Sequence, residues 1–261
     1  MNDTINMLIL AIVQGLTEFL PVSSSGHLVL AKQALGFDVA SGLGVVLILH
    51  LGTLVAVFVY YWKFIQKTVV GLFHHDAEAW RFTCAILISM IPAIIVGLLL
   101  KDNFDALEKR PEWVAAFLVV TGLILLTTRI WGRDEGKEVN SKRGWIIGLA
   151  QAFAMLPGIS RSGSTIAASR FLGIASDKAA AFSFLMVVPI IIAGNALELL
   201  KGGEGGAFEG LPLGLAALGF FVSAVVGYLS VAFMVRLLNR HYFWLFGFYC
   251  IAAGTLFLVF K

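Results

Sequence analysis

Apolar and polar positions along this chain sort into long greasy stretches separated by short polar breaks. Six stretches, at about 43–62, 82–100, 113–131, 178–200, 213–235 and 242–260, are apolar enough and long enough to cross a bilayer. A crossing takes about 20 residues at a rise of about 1.5 Å each. Two segments break this pattern. Pro21-Val-Ser-Ser-Ser-Gly-His27 and Pro157-Gly-Ile-Ser-Arg-Ser-Gly-Ser164 each sit between apolar runs, and the helices they flank are short. Ser24 to Gly36 would rise only about 20 Å, and Ile146 to Leu156 less, against about 30 Å of hydrocarbon. Half-length helices meeting at a Pro/Gly/Ser turn predict a re-entrant hairpin that enters and leaves on one side. Its irregular backbone is tolerable only where it is buried in protein or faces water.

The chain also repeats itself. A shift of 137 residues carries Gln14 onto Gln151, Ser25 onto Ser162, Gly26 onto Gly163, Ala31 onto Ala168, Leu35 onto Leu172 and Gly36 onto Gly173. Three long spans follow each polar turn. A hairpin adds no crossing and three spans add an odd number, so the second half begins on the opposite face. The expected fold is an all-α polytopic membrane protein with an inverted-topology repeat. Residues 1–131 form the first repeat, with a re-entrant hairpin over 4–37. Residues 132–143 form a charged linker, and residues 144–261 form the second repeat, with its hairpin over 144–173. The polar tips should then meet near the midplane, where inverted repeats build their sites.

Composition agrees with that class. The chain of 261 residues is 59% hydrophobic and 13% charged, with mean hydropathy +0.90, whereas soluble domains carry about 25% charged residues. Met1 to Thr4 lack a basic segment and Gln14 and Glu18 interrupt the apolar run, so no cleaved signal peptide is expected. Cys84 and Cys250 each fall inside a span and imply neither a disulfide framework nor a metal site. A net charge of +3 gives no reason to expect nucleic acid. Ten basic loop residues, among them Lys63, Lys67, Arg129, Arg133, Arg236 and Arg240, fall on one side, against five on the other. This bias places the first set in the cytoplasm and both termini outside.

Lipid offers a His, an Arg and a cluster of hydroxyls no hydrogen-bond partner, so such groups must face each other, water or a ligand. Ser23 or Ser24 is placed to cap the helix after the first turn, and Ser160 the helix from Arg161. Each helix start presents free N–H groups and the positive end of a dipole. With the planar fork of Arg161 between them, they suit an anion with several oxygens, and a diphosphate better than a lone carboxylate. Gln14 and Glu18 are four apart on one helical face, and Ser24 and His27 three apart on another. Closing the hairpin would bring Glu18, Ser24 and His27 to Arg161 and Thr165. The set offers a hydroxyl nucleophile, a histidine for the proton, and a carboxylate that orients the histidine or holds a cation.

Packing is the competing explanation for any one of these residues, because Ser, Thr and Gly in membrane helices usually serve close helix contacts. His50, alone in a span, is a weaker site candidate that could simply pair with a neighbouring helix. Arg170, Asp177 and Lys178 are expected to anchor the interface, with Ser176 or Asp177 as a helix cap, and Glu198 to be an interface charge. Packing does not explain Glu, Ser, His, Ser, Arg and Thr recurring on two matching turns.

Gln14-Gly-Leu-Thr-Glu18-Phe-Leu-Pro-Val-Ser-Ser-Ser-Gly-His27 and Pro157-Gly-Ile-Ser-Arg-Ser-Gly-Ser-Thr165-Ile resemble the two signatures of the bacterial undecaprenyl-diphosphate phosphatases of the bacitracin-resistance type. Leu51-Gly-Thr53 and Ala181-Phe-Ser-Phe184 extend the likeness over nearly the whole chain. The resemblance implies an integral membrane hydrolase of the bacterial inner (plasma) membrane. It would remove the terminal phosphate of undecaprenyl diphosphate, recycling the lipid carrier for peptidoglycan. Its site would open to the outer face, and a homodimer is the candidate assembly. The family's acidic motif falls on Gln14 and Glu18, often with Glu at the first position. A divalent cation, Mg²⁺ or Ca²⁺, would here rely on Glu18, the Gln14 amide and substrate oxygens. The resemblance marks Ser23, Ser24, His27, Ser160, Arg161 and Thr165 as active-site residues.

The reading that results makes Ser24, His27, Glu18 and Arg161 catalytic. Ser23, Ser25, Ser160, Ser162 and Thr165 bind substrate, with Ser24 attacking phosphorus and His27 handling the proton. Direct attack by water is the main variant. The rival from another class is a transporter or flippase of a lipid phosphate, since broken helices meeting at the midplane also bind transported anions. Transport would need Arg161 and the helix dipoles but no nucleophile.

Overall fold

A computed structural model describes residues 3–35, 42–200 and 211–260 of the chain. These residues fold into twelve α-helices: α1 (Asp3–Thr17), α2 (Ser24–Leu35), α3 (Gly42–Tyr60), α4 (Trp62–Phe73), α5 (Ala77–Glu108), α6 (Pro111–Trp131), α7 (Ser141–Phe153), α8 (Arg161–Phe171), α9 (Ser176–Leu185), α10 (Val187–Leu200), α11 (Leu213–Asn239) and α12 (Phe246–Phe260). Among them no strand forms. The one extended pairing is a bridge between Lys137 and Ile174, which ties the linker to the turn after α8. Gly36, Lys201 and Lys261 lie outside the described residues.

Local chemistry sets many of the boundaries. The Asp76 side chain accepts from the Glu78 amide to start α5, and Asn140 accepts from the Arg143 amide to start α7, each at 2.9 Å. Pro111 opens α6, where its missing N–H costs nothing. α9 stops at Leu185 because Pro189, four residues on, supplies no N–H for its carbonyl and crowds it.

The expected spans are recovered with corrections. The stretches 82–100, 113–131 and 213–235 lie within α5, α6 and α11, and all three helices are long and apolar enough to cross a membrane. The stretch 178–200 breaks at Met186 into α9 and α10, and Ser176–Ala193 carries the crossing length. The stretch 43–62 is only the first arm of a pair. α4 continues from it after a 73° bend, and the two together qualify as one broken span. The stretch 242–260 is shorter than expected: a 3-10 turn at Phe243–Leu245 precedes α12, which has 15 residues. That is about 22 Å, short of a full hydrocarbon core. The chain is therefore a multi-pass α-helical membrane protein with four helices of crossing length and one bent pair of that combined length among the described residues. Helices α1, α2, α7 and α8 have 15, 12, 13 and 11 residues, about 16–22 Å each.

The packing brings these short helices to the centre. α1 lies on α11 and on α2, α7 lies on α5 and on α8, α3 lies on α11, and α6 on α12. Small residues make the crossings close, as expected where lipid supplies no hydrophobic drive between helices. A Cβ on Gly122 would sit 2.6 Å from the Gly247 carbonyl oxygen, and one on Gly148 would run into that of Ser89. α8 is polar in composition yet buried along most of its length. Around it Phe19, Phe184, Ile166, Leu118, Met234 and Cys250 form the main apolar cluster.

The linker is held down by charge. Arg170, buried at the end of α8, donates to Asp134 at 2.8 Å and to the Ser176 hydroxyl at 3.0 Å. Ser176 in turn donates its hydroxyl and amide to Asp134, at 2.6 and 3.1 Å. Ser176 is thus not a cap: Ala175 starts α9 without a side-chain bond. Lys178 pairs with Glu138. Burial pushes the Asp134 carboxyl up, but the Ser176 and Arg170 donors outweigh it and hold the carboxyl below its ordinary range. A depressed carboxylate adds stability above its unfolded value, and that stability is lost as pH falls through the folded one.

Two outcomes follow for purified protein in detergent. Gly148→Val forces α5 and α7 apart, and thermal melts should show a loss of about 1–3 kcal/mol. Wild-type stability should fall on acidification below about pH 4, with Asp134→Asn removing part of that acid-side slope.

Candidate active site

The first turn begins where α1 ends. Glu18 stays in helical register, its amide donating to the Gln14 carbonyl at 3.0 Å, and the chain then turns through Pro21. Ser23 sits at φ +67°, a left-handed conformation that costs a non-glycine residue of order 1 kcal/mol or more and recurs at functional sites. From there its hydroxyl accepts the Gly26 amide at 3.3 Å, so Ser23, not Ser24, caps α2. The second turn does the same: Ser160 accepts the Gly163 amide at 3.0 Å and caps α8. Ser23 pairs with Ser25, and Ser160 with Ser162, each at 3.3 Å. The 137-residue shift relates every member of the two sets.

The two turns pack on each other. Ser162 donates to the Leu20 carbonyl at 3.1 Å. A Cβ on Gly26 would touch Gly158, and one on Gly163 would touch Pro21. Thr121 of α6 fixes the second turn by donating to the Gly158 carbonyl at 2.9 Å and accepting the Ser160 amide at 3.0 Å. Gly158 has φ +99°, and a side chain there would collide with the Val114 carbonyl, so only glycine suits it.

One carboxylate joins the halves. Glu18 is 6% exposed. Its Oε1 receives Arg161 Nη2 at 2.5 Å. Its Oε2 receives the Ser24 hydroxyl at 2.7 Å and the Gln14 amide at 3.0 Å. Ser24 and Arg161 lie 137 residues apart, each the first residue after its serine cap, and they bring a hydroxyl and a guanidinium to opposite oxygens of one acid. Arg161 Nη1 donates to the Ser183 carbonyl at 3.1 Å. Thr165 pairs with the Ser183 hydroxyl at 2.7 Å and donates to the Arg161 carbonyl at 2.8 Å. Gln14 keeps its Oε1 buried and without a partner. Among the described residues no three His, Cys, Asp or Glu side chains group as metal ligands.

His27 differs from expectation. Its Nδ1 meets the Ser23 carbonyl at 2.9 Å and its Nε2 the Tyr249 hydroxyl at 2.7 Å. A carbonyl only accepts, so Nδ1 carries the proton, and in the neutral ring Nε2 accepts from Tyr249. Both nitrogens are thereby engaged away from Ser24, whose own hydrogen bond goes to Glu18. His50, discounted in the sequence, faces the site: its Nε2 lies 3.7 Å from Glu18 Oε2, and its Nδ1 donates to the Val46 carbonyl at 2.8 Å. An ionisable residue inside a span was the signal for it. Tyr249 and Thr121 carried no signal beyond an ordinary span residue, while Ser183 lay within the Ala181–Phe184 segment of the likeness without being marked as a site residue.

A hydroxyl hydrogen-bonded to a buried carboxylate has the geometry of a nucleophile beside its base. Arg161 and two capped helix starts around it favour a multiply charged anion. The fold and site define a polytopic membrane protein with a buried Ser–Glu–Arg centre built from two turns. The family model described as bacitracin resistance protein BacA matches residues 7–256. Similar proteins named undecaprenyl-diphosphatase come from Christiangramia forsetii, 38% identical over 99% of this chain and 98% of that protein, and from Geotalea daltonii, 39% identical over the same shares. One from Bacteroides fragilis is 37% identical over 97% and 96%. The chain belongs to the bacitracin resistance protein BacA family.

The Glu18–Arg161 pair gives a stability prediction. Glu18→Gln, Arg161→Gln and the double variant, melted in detergent, should show non-additive losses with a coupling of about 1–3 kcal/mol, because either single change leaves a buried partner uncompensated.

Proposed function

We propose that this chain is an undecaprenyl-diphosphatase of the bacterial inner membrane. It hydrolyses undecaprenyl diphosphate to the monophosphate and inorganic phosphate, which returns the lipid carrier to cell-wall synthesis and underlies bacitracin resistance. Relatives of that name align with nearly the full chain. The observation that carries the chemistry is the Ser24 hydroxyl on Glu18 Oε2, with Arg161 on Oε1.

The prenyl chain lies among the spans while the diphosphate enters between the two turns. Arg161 turns from Glu18 to the phosphate oxygens, and the helix starts behind Ser23 and Ser160 add backbone N–H groups. Release from Arg161 leaves Glu18 free to take the Ser24 proton. Ser24 Oγ bonds to the terminal phosphorus, and the bond to the bridging oxygen breaks with its electrons leaving on undecaprenyl phosphate. Water then attacks the phosphoserine phosphorus, the bond to Ser24 Oγ breaks as Oγ takes back the proton held by Glu18, Glu18 accepts the proton lost by the water, and phosphate departs. Positioning and positive charge supply most of what phosphoryl transfer requires. His27, held between Ser23 and Tyr249 on the exposed side, exchanges protons between the site and water.

Gln14 and Glu18 fit a hard cation, because the Gln14 Oε1 is buried without a partner beside a carboxylate and substrate oxygens would complete the ligand set. When bound, Mg²⁺ or Ca²⁺ would supply charge to the diphosphate oxygens.

The fold is read as an inverted-topology repeat with re-entrant hairpins at α1–α2 and α7–α8. The matched serine caps and the exchanged packing of α1 on α11 and α7 on α5 support this reading. The basic linker end faces the cytoplasm and the site opens outward.

Purified protein in detergent should release phosphate from a polyprenyl diphosphate, and EDTA should suppress that release. Ser24→Ala should lower the rate by about 10³-fold or more, and acid quenching of the wild type should trap phosphate on Ser24. Full activity in Ser24→Ala sinks the nucleophile assignment. Lipid movement without hydrolysis would support the transporter reading instead.

A further inference from the structure

α8 carries an arginine at each end. Arg161 belongs to the site above, and Arg170, nine residues on, is about 14 Å away along the helix. Arg170 lines a cavity of about 320 Å³ together with Thr128, Arg129, Gly132, His241 and Trp244, within the range of ligand pockets. We infer that this cavity binds a phosphate group, carried by an anionic phospholipid headgroup or as free inorganic phosphate, at the linker end of the molecule.

Three features converge on that ligand. Arg170 is 6% exposed, and its contacts among the described residues all run through Nη1, to Asp134, Ser176 and the Ile174 carbonyl. Those contacts fix the plane of the guanidinium while leaving Nη2 and Nε as donors. Arg129 is held 4.4 Å over the Trp244 ring and meets no carboxylate among the described residues. A stacked guanidinium keeps its edge donors available, the arrangement that suits phosphate oxygens.

His241 is the third feature. α11 ends in a Schellman turn, with the Tyr242 amide bonded to the Leu237 carbonyl and the His241 amide to that of Leu238. The left-handed position is His241, at φ +60°, where glycine is usual. The equivalent position after α8 is Gly173 at φ +75°, with Ile174 bonded back to Ser169. A histidine at such a site strains the backbone and places an imidazole on the cavity.

The ends of α6, α8 and α11 meet here, and helix C-termini attract cations on their own account. That does not account for these side chains. The Gly132, Arg133, Gly173, His241 and Tyr242 amides already bond the terminal carbonyls, and Arg129 rests on a ring. Asp134 cancels one charge on Arg170. Arg129 remains uncompensated, and Leu238 and Phe243 give the lining an apolar side suited to a lipid at the membrane surface. Basic pockets between spans on that side of a membrane typically hold anionic headgroups.

The test uses the full-length protein in nanodiscs and two variants chosen to leave the fold intact, Arg129→Gln on an exposed position and His241→Gly on a position that favours glycine. Native mass spectrometry would count anionic lipid retained from mixed phosphatidylglycerol and phosphatidylcholine. Inorganic phosphate would be titrated separately against wild-type protein in neutral detergent, read by Trp244 fluorescence with Trp244→Phe as the blank. Arg129→Gln should weaken binding about five-fold. His241→Gly should melt no lower than wild type yet also bind less. Retention of phosphatidylglycerol without a response to free phosphate identifies a headgroup site, and the reverse identifies a phosphate site. Equal retention of both lipids with no phosphate response, or unchanged binding in both variants, overturns the proposal. Catalytic rates enter none of these readouts.

Discussion

A single buried carboxylate holds the centre of this protein together. Glu18 comes from the end of α1, Ser24 and Gln14 from the same half of the chain, and Arg161 from the other half. Breaking one side of such a pair leaves a charge in a poor dielectric, typically at a cost of several kcal/mol. The two turns are therefore locked across the molecule by the groups that would also act on a phosphate. In the proposed reaction the bond between Arg161 and Glu18 is exchanged for bonds to the incoming anion, so that one interaction would serve both stability and reactivity.

The surrounding fold serves that arrangement. The short helices α1, α2, α7 and α8 fall below the length of a full hydrocarbon core, and their irregular ends are covered by neighbouring spans. α5 and α11 do this through close glycine contacts with α7 and α1, while Thr121 of α6 supplies two hydrogen bonds to the second turn. The serine caps leave the helix starts pointed at the centre. Distal charges play another part: Arg170 and Asp134 fasten the linker to the end of the same helix whose start carries Arg161.

Much of the site was legible before any coordinates. Glu18, Ser24 and Arg161 stood out because polar groups in a greasy chain need partners, and the 137-residue repeat indicated which turns should meet. The assignment of His27 was less secure. Helical spacing placed it on the same face as Ser24, but spacing says nothing about Tyr249, 222 residues away, which takes its Nε2. His50 was discounted because a lone histidine in a span has many uses, and only the packing of α3 against the first turn brings it to Glu18. Ser176 looked like a helix cap, yet a buried arginine and an aspartate claim its hydroxyl.

The sequence by itself determined the all-helical membrane class, the position of most long helices, and which polar residues of the two turns needed partners. Those follow from hydropathy, helix length and capping, which are local properties of the chain. Only the tertiary structure decided which donor meets which oxygen. It paired Ser24 with Glu18, turned His27 to Tyr249, bent the 43–62 stretch at Tyr61 and shortened the last helix. It also brought three helix ends together around the Arg170 cavity. Each of those outcomes depends on contacts between residues distant in the chain, whose energies no local pattern records.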